Sequence, residues 1–259
     1  MDLQVNTFKQ QITHNKLQIG LWLGWGSALS AEALAGCGFD WLLLDGEHAP
    51  NSLASTLAQL QAMAPYPVQP VVRLVEGDAA LIKQYLDIGV QTFLIPMVES
   101  AAQAKHLVAA MRYPPDGFRG VAGGTRATRW NQVENYVLRA NAEVCLLVQV
   151  ETAAGLSHLA EIAAVEGVDG VFFGPSDLSA SMGYPGQLEH PEVRKAIFDG
   201  IKTVLKANKA PGVLSAKPAI AREYRDAGCL FVAVGNDTML LVNAARELAK
   251  SFKGDSKQP

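Results

Sequence analysis

The chain has 259 residues, with 22 Lys and Arg against 25 Asp and Glu and a formal charge of -3. Basic residues are dispersed, so there is no electrostatic footprint for nucleic acid, and no apolar run reaches the ~20 residues of a membrane span. Apolar residues make up 49%, enough for a substantial core, and the polar stretch Met1 to Gln18 carries no signal-peptide core, so a cytoplasmic protein is expected.

Short β-rich runs alternate with amphipathic segments from end to end. Strands are predicted at Gln18–Gly24, Phe39–Asp45, Gln69–Leu74, Thr92–Met97, Val144–Glu151, Gly170–Gly174, Gly212–Ser215 and Leu230–Gly235. Helices are predicted at Ser30–Gly36, Ser52–Ala64, Asp78–Asp87, Ala101–Arg112, Ala153–Ala164, Pro191–Asn208, Pro218–Ala227 and Asp237–Phe252. Gly36, Gly89 and Gly228 close three of these helices just before an apolar strand, as helix C-terminal glycines do. Strands separated by helices imply right-handed βαβ units and a parallel sheet. Eight such units favour closure into an α/β TIM barrel, (β/α)8, which typically takes about 250 residues. No linker or shift in composition divides the chain, so one domain over residues 1–259 is expected.

One stretch breaks the rhythm. Tyr113 to Ala142 contains Pro114-Pro115, Gly123-Gly124, Arg126, Arg129 and Trp130, and exceeds the usual connection of about 2–6 residues. Its Arg and Trp content points to a lid or an interface rather than disorder. Cys37, Cys145 and Cys229 form no Cys-x-x-Cys pair; buried free thiols are expected, and no structural zinc.

The chemistry gathers where strands end. Phe39 to Leu44 runs into Asp45-Gly46-Glu47-His48, Val71-Val72 into Arg73, Val144 to Val148 into Gln149-Val150-Glu151, and Val171 to Phe173 into Gly174-Pro175-Ser176-Asp177. In a parallel barrel this C-terminal edge is where active sites are built. Gln149 and Glu151 are two apart in a strand and share a face. A buried carboxylate is costly unless paired or bound to a cation. With Asp177 arriving from the next strand end, Glu151 suggests a ligand pair for a hard divalent cation such as Mg2+ or Mn2+. The alternative is that Glu151 pairs with Arg73 and Asp177 caps the next turn. Arg73 suits a substrate carboxylate or a developing oxyanion, or else a structural ion pair with Glu151 or Asp45. His48, just past a strand end, is the candidate general base. His14, His106, His158 and His190 read as surface, helix or loop residues. Lys217 is the single candidate for a Schiff-base lysine. No Gly-x-Ser-x-Gly elbow, Walker A sequence, strand-linked Gly-x-Gly-x-x-Gly or His-Glu-x-x-His occurs.

These segments resemble the HpcH/HpaI family of metal-dependent class II pyruvate aldolases. The likeness rests on Gly20 to Gly24, on Gly38 to Pro50 with its Asp-Gly-Glu-His-Ala-Pro, on Gln69 to Arg73, on Val148 to Thr152, and on Gly167 to Ser179 with its Gly-Pro-Ser-Asp-Leu-Ser; it runs on through Phe231 to Gly235. The resemblance implies that Glu151 and Asp177 hold Mg2+, Mn2+ or Co2+, and that pyruvate binds there as an enolate near Gln149 and the Ser176 amide. It further implies that Arg73 stabilises the enolate oxygen, that His48 acts as base with Asp87 raising its basicity, and that Trp22 and Leu214 line the substrate site. From its own pattern Asp87 reads as a solvated helix acid. The implied reaction is reversible cleavage of a 4-hydroxy-2-oxoacid to pyruvate and an aldehyde. Hydroxypyruvate as donor, 2-keto-3-deoxy sugar acids as substrates, and a non-catalytic oxoacid-binding barrel stand as alternatives. The implied assembly is a homo-oligomer, a hexamer built as a trimer of dimers, with the last helix exchanged between subunits. Ser176 departs from the family's Ala, and the Gly-rich stretch Gly120 to Thr125 and Lys217 depart where the aldehyde would be recognised.

Overall fold

A computed structural model describes residues 1–253; the last six residues of the expected domain lie outside the described residues. Eight parallel strands close into a barrel in chain order. They are β1 (Gln18–Leu23), β2 (Trp41–Asp45), β3 (Gln69–Arg73), β4 (Thr92–Ile95), β5 (Cys145–Val150), β6 (Gly170–Phe173), β7 (Ala210–Leu214) and β8 (Phe231–Asn236). Closure comes from β8 pairing with β1, Gln18 opposite Phe231. This is the expected TIM barrel.

The helices are α1 (Thr7–Thr13), α2 (Ala28–Ala35), α3 (Leu53–Met63), α4 (Ala79–Asp87), α5 (Ala101–Met111), α6 (Tyr136–Glu143), α7 (Ala153–Ser157), α8 (Leu159–Ala163), α9 (Pro175–Ser181), α10 (Pro191–Lys206), α11 (Pro218–Asp226) and α12 (Asp237–Lys253). Side-chain caps from Ser52, Asp78, Ser100 and Thr152 start α3, α4, α5 and α7, each satisfying a backbone donor that the first turn leaves free. Among the described residues no helix is long and apolar enough to cross a membrane.

Strand period sorts the core into two shells. Outward residues such as Leu42, Leu44, Val72, Phe93, Val148 and Phe173 pack under the helices. Inward residues Trp22, Trp41, Leu43, Val71, Leu94, Leu147, Phe172 and Phe231 fill the barrel. Both faces of each strand are buried, which is why the strands read as unbroken apolar runs. At the floor, α1 inserts Phe8 and Ile12, both buried, with the Phe8 ring edge-on to Trp41 and Phe231. Each of these two side chains contributes roughly 1.5–3 kcal/mol of burial. No helix is expected here from the sequence, because two apolar residues spaced i, i+4 are a weak signal.

Most strand bounds differ from the expected ones by one or two residues, and three differences have a structural cause or consequence. β4 stops at Ile95, because Pro96 follows and Met97 turns into the left-handed region at φ 55°. The helix expected over Ala153–Ala164 breaks into α7 and α8 at His158. The stretch from Tyr113 contributes α6. It does not cover its own barrel mouth: it packs along α4 and the N-terminal end, where Ala127 N–H donates to Asp87 O at 3.0 Å and Arg126 Nη1 to Ile88 O at 2.6 Å. Cys145 and Cys229 are buried as expected, whereas Cys37 is exposed beyond the end of α2.

Candidate active site

On β2, β3 and β5 the inward parity delivers polar groups at or just past the C-terminal end. Asp45 follows Trp41 and Leu43 on β2, Arg73 follows Val71 on β3, and Gln149 and Glu151 follow Cys145 and Leu147 on β5. Asp45 sits opposite Arg73 in register. All four side chains are buried.

Arg73 is gripped from two sides. Its Nε donates to Asp45 Oδ1 at 2.9 Å and its Nη2 to Asp45 Oδ2 at 2.7 Å, a bidentate fork. Nη1 lies 2.7 Å from Glu47 Oε2. The guanidinium carbon stands 5.3 Å from the Trp22 ring centroid. Of the two ion-pair partners weighed from sequence, Asp45 is the one found and Glu151 is not. Burial raises the Asp45 pKa, but the Arg73 hydrogen bonds and charge outweigh it and hold the carboxyl below its usual value. Gly46 lets the chain turn here: its N–H donates to Arg73 O at 2.8 Å, and a Cβ would stand 2.6 Å from that same oxygen.

Glu151 is the opposite case. Met97 N–H donates to its Oε1 at 3.0 Å, and Gln149 Nε2 donates to its Oε2. Among the described residues no Lys, Arg or His forms an ion pair with it. Burial foremost, then the charges of Asp177 and Glu47, outweigh those two bonds and push its pKa up to about 7. Gly174, at the end of β6, makes the arrangement possible, since a Cβ there would overlap Glu151 Oε2 and crowd Gln149 Nε2 at 2.8 Å.

Asp177 is exposed in the first turn of α9, beside Ser176. His48 is 64% exposed at the side chain, its Nε2 3.7 Å from Glu47 Oε2. Leu214, partly buried, packs on the inner shell with Trp22, whose ring centroid is 5.4 Å from that of Phe172.

The donor set fits a hard divalent cation. Glu47, Glu151 and Asp177 interact electrostatically with one another, while Arg73 is already committed to Asp45 and Glu47. Gln149 Oε1 is a buried oxygen that no hydrogen-bond donor satisfies, whereas Glu47 Oε2 has the Arg73 guanidinium beside it. Among the described residues no three His, Cys, Asp or Glu side chains close on one point. Glu151 and Asp177 are the two carboxylates that could hold such a cation, and Mg2+ sites commonly use one or two protein carboxylates.

The sequence pattern of the HpcH/HpaI aldolase/citrate lyase family matches residues 18–244. The chain belongs to that family. It is 60% identical to a hydroxypyruvate/pyruvate aldolase of Pseudomonas aeruginosa, over 100% of this chain and 97% of that one. It is 54% identical to a 4-hydroxy-2-oxo-heptane-1,7-dioate aldolase of Salmonella heidelberg, over 97% and 96%. The crystal structure of a family protein from Burkholderia cenocepacia superposes with a TM-score of 0.94 at 39% identity, covering 96% of this chain and all of the other. Family and relatives together support an aldolase, a carbon–carbon lyase.

One residue that the resemblance implied for the site is not brought to the mouth. Asp87 ends α4 and so lies at the N-terminal end of the barrel, where buried Arg119 donates to its Oδ1 at 2.8 Å. Lys217, in the loop that follows β7, is exposed and ion-paired with Glu189, not buried as a Schiff-base lysine would be. Conversely, Glu47 and the Met97 N–H belong to the site and had been given no role. Glu47 sits two residues past a strand end, in a segment already rich in acids. Met97 carried no signal, because its contribution is a backbone donor in a strained turn.

Proposed function

We propose that this chain is a divalent-metal-dependent class II aldolase. It reversibly cleaves 4-hydroxy-2-oxoacids, such as 4-hydroxy-2-oxoheptanedioate, to pyruvate and an aldehyde. One observation carries the reading: the buried Glu151 carboxyl lies within electrostatic reach of Asp177 and Glu47 and beside an unsatisfied amide oxygen of Gln149, while Arg73 is already paired with Asp45. Glu151 and Asp177 would hold Mg2+, Mn2+ or Co2+, which when bound supplies Lewis acidity toward the 2-oxo group.

The chain's own residues do the rest. His48, open to solvent, takes the proton from the C4 hydroxyl as the C3–C4 bond breaks and the electron pair moves toward the 2-oxo carbon. Arg73, fixed by its Asp45 fork, stabilises the enolate oxygen of the pyruvate fragment. Gln149 and the Ser176 amide, a donor left free in the first helical turn, orient the oxoacid. Trp22 and Leu214 form its apolar wall, and protonation at C3 releases pyruvate. Hydroxypyruvate as donor is the second reading, favoured by the name of the Pseudomonas relative.

The reading extends to assembly: a homo-oligomeric, single-domain cytoplasmic enzyme, a trimer of dimers. Its support is α12, where Asp237 alone is buried while Leu240, Leu241, Leu248 and Phe252 face outward. We assign α12 to exchange with a second copy. Asp87 would then serve His48 of a neighbouring subunit, since its own barrel holds it at the wrong end.

The test is proton NMR of pyruvate, and separately hydroxypyruvate, in D2O with EDTA and then with each cation restored. Cation-dependent loss of the C3 proton signal is expected, and His48→Ala should slow it at least about tenfold while pyruvate still binds. No exchange with any cation would refute the aldolase reading.

A further inference from the structure

Two arginines share one cavity at the N-terminal end of the barrel. Arg126 and Arg129 line a cavity of about 140 Å3, walled by Met63, Tyr66, Gln69 and Pro70. Neither guanidinium forms an ion pair among the described residues. The bond from Arg126 Nη1 to Ile88 O, 2.6 Å, fixes that side chain without neutralising it. Burial first, and the neighbouring charge of Arg129 next, push the Arg126 pKa down, as befits a cation without a counter-charge. Asp2 lines a smaller adjoining hollow of about 30 Å3 together with both arginines, and among the described residues it forms an ion pair with neither.

The backbone fixes Arg129 in place. Arg129, Trp130 and Asn131 are left-handed in succession, at φ 50°, 52° and 67°. Such backbone is disfavoured for L-residues and persists where surrounding structure over-determines it. Here Trp130 N–H donates to Thr125 O at 3.0 Å, Val133 N–H to Thr128 O at 3.1 Å and Asn131 N–H to Thr128 Oγ1 at 3.2 Å. The turn that aims Arg129 into the cavity is therefore a built feature.

We propose that this cavity binds a small oxyanion, a phosphate or a short carboxylate, seated between the two guanidinium groups. Planar guanidinium forks match both anions. At ~30 Å3 per water, the cavity has room for such an anion. It opens at the start of β3, whereas Glu151 and Asp177 stand at the strand C-terminal ends, so it is separate from the site of carbon–carbon chemistry.

The test is calorimetric titration of the full chain with inorganic phosphate and, separately, succinate. Arg129→Asn suits left-handed backbone, and Arg126→Gln is the second variant. One saturable event per protomer is expected for at least one anion, weakened at least about tenfold in either variant; the tighter probe names the anion class. Co-crystals with selenate should show its anomalous peak between Arg126 and Arg129. Absence of saturable binding, unchanged affinity in both variants, or a selenate peak confined to Arg73 would each overturn the site. So would loss of oligomeric mass in Arg129→Asn with no anion response in the parent, since a second copy would then supply the counter-charge.

Discussion

Glu151 imposes a pH dependence that the metal-free protein should display. Its carboxyl is 2% exposed and titrates at about 7 instead of 4.5, burial being the main cause. A carboxyl raised in this way binds more protons folded than unfolded between the two values. Stability is therefore fully present below about pH 4.5, falls as pH climbs through about 7, and stays lost above it. At ~1.4 kcal/mol per pH unit, the rise to about 7 corresponds to about 3 kcal/mol. Glu151→Gln carries no charge to desolvate and should abolish this component. The assay is urea unfolding in EDTA at pH 5, 6, 7 and 8, at fixed protomer concentration, for both proteins. The difference between them should change by about 2.5 kcal/mol from pH 5 to pH 8, the variant gaining at high pH. Cation affinity of the parent should in turn rise about tenfold per pH unit up to about 7, because only the ionised carboxylate binds. Parallel pH curves for the two proteins would refute the buried, uncompensated carboxylate.

Three further outcomes follow from the same geometry. Asp45→Ala removes the fork on a buried arginine and should cost about 3 kcal/mol in urea unfolding; Asp45→Glu should recover part of it. Gly174→Ala places a methyl where Glu151 Oε2 lies, so calorimetry should show Mn2+ affinity reduced at least about tenfold with the circular dichroism spectrum unchanged. Leu241→Asp combined with Leu248→Asp, on the outward face of α12, should lower the sedimentation mass if that helix is exchanged; an unchanged mass would remove α12 from the interface.

How legible the site was depended on whether a residue's role follows from strand period. Gln149 and Glu151 sit two apart on a strand, so one inference about a buried strand put both in the mouth, and the structure finds them hydrogen-bonded to each other. Arg73 was placed by the same reasoning, but its partner was not. Asp45 and Glu151 are both acids at strand ends, and only the β2–β3 register, with Asp45 opposite Arg73, decides between them. Glu47 and Met97 lay beyond reach for different reasons. Glu47 is on an irregular turn, where no period says which way a side chain faces. Met97 acts through its N–H, which every residue but proline carries.

Asp87 marks a harder boundary. In a βα barrel each strand runs toward the mouth and each following helix runs back, so a helix C-terminus opens onto the far edge of the sheet. Asp87 is the last residue of α4, and element order by itself therefore excludes it from its own mouth. Its in-chain partner Arg119 comes from the long excursion after α5 rather than from any strand end. Any part it plays at His48 needs a second copy docked so that one subunit's helix ends meet another's strand ends. That relation is one between surfaces. It leaves no trace in the hydrophobic period of a single chain, since period records which face is buried within the fold and not what later covers the faces left open.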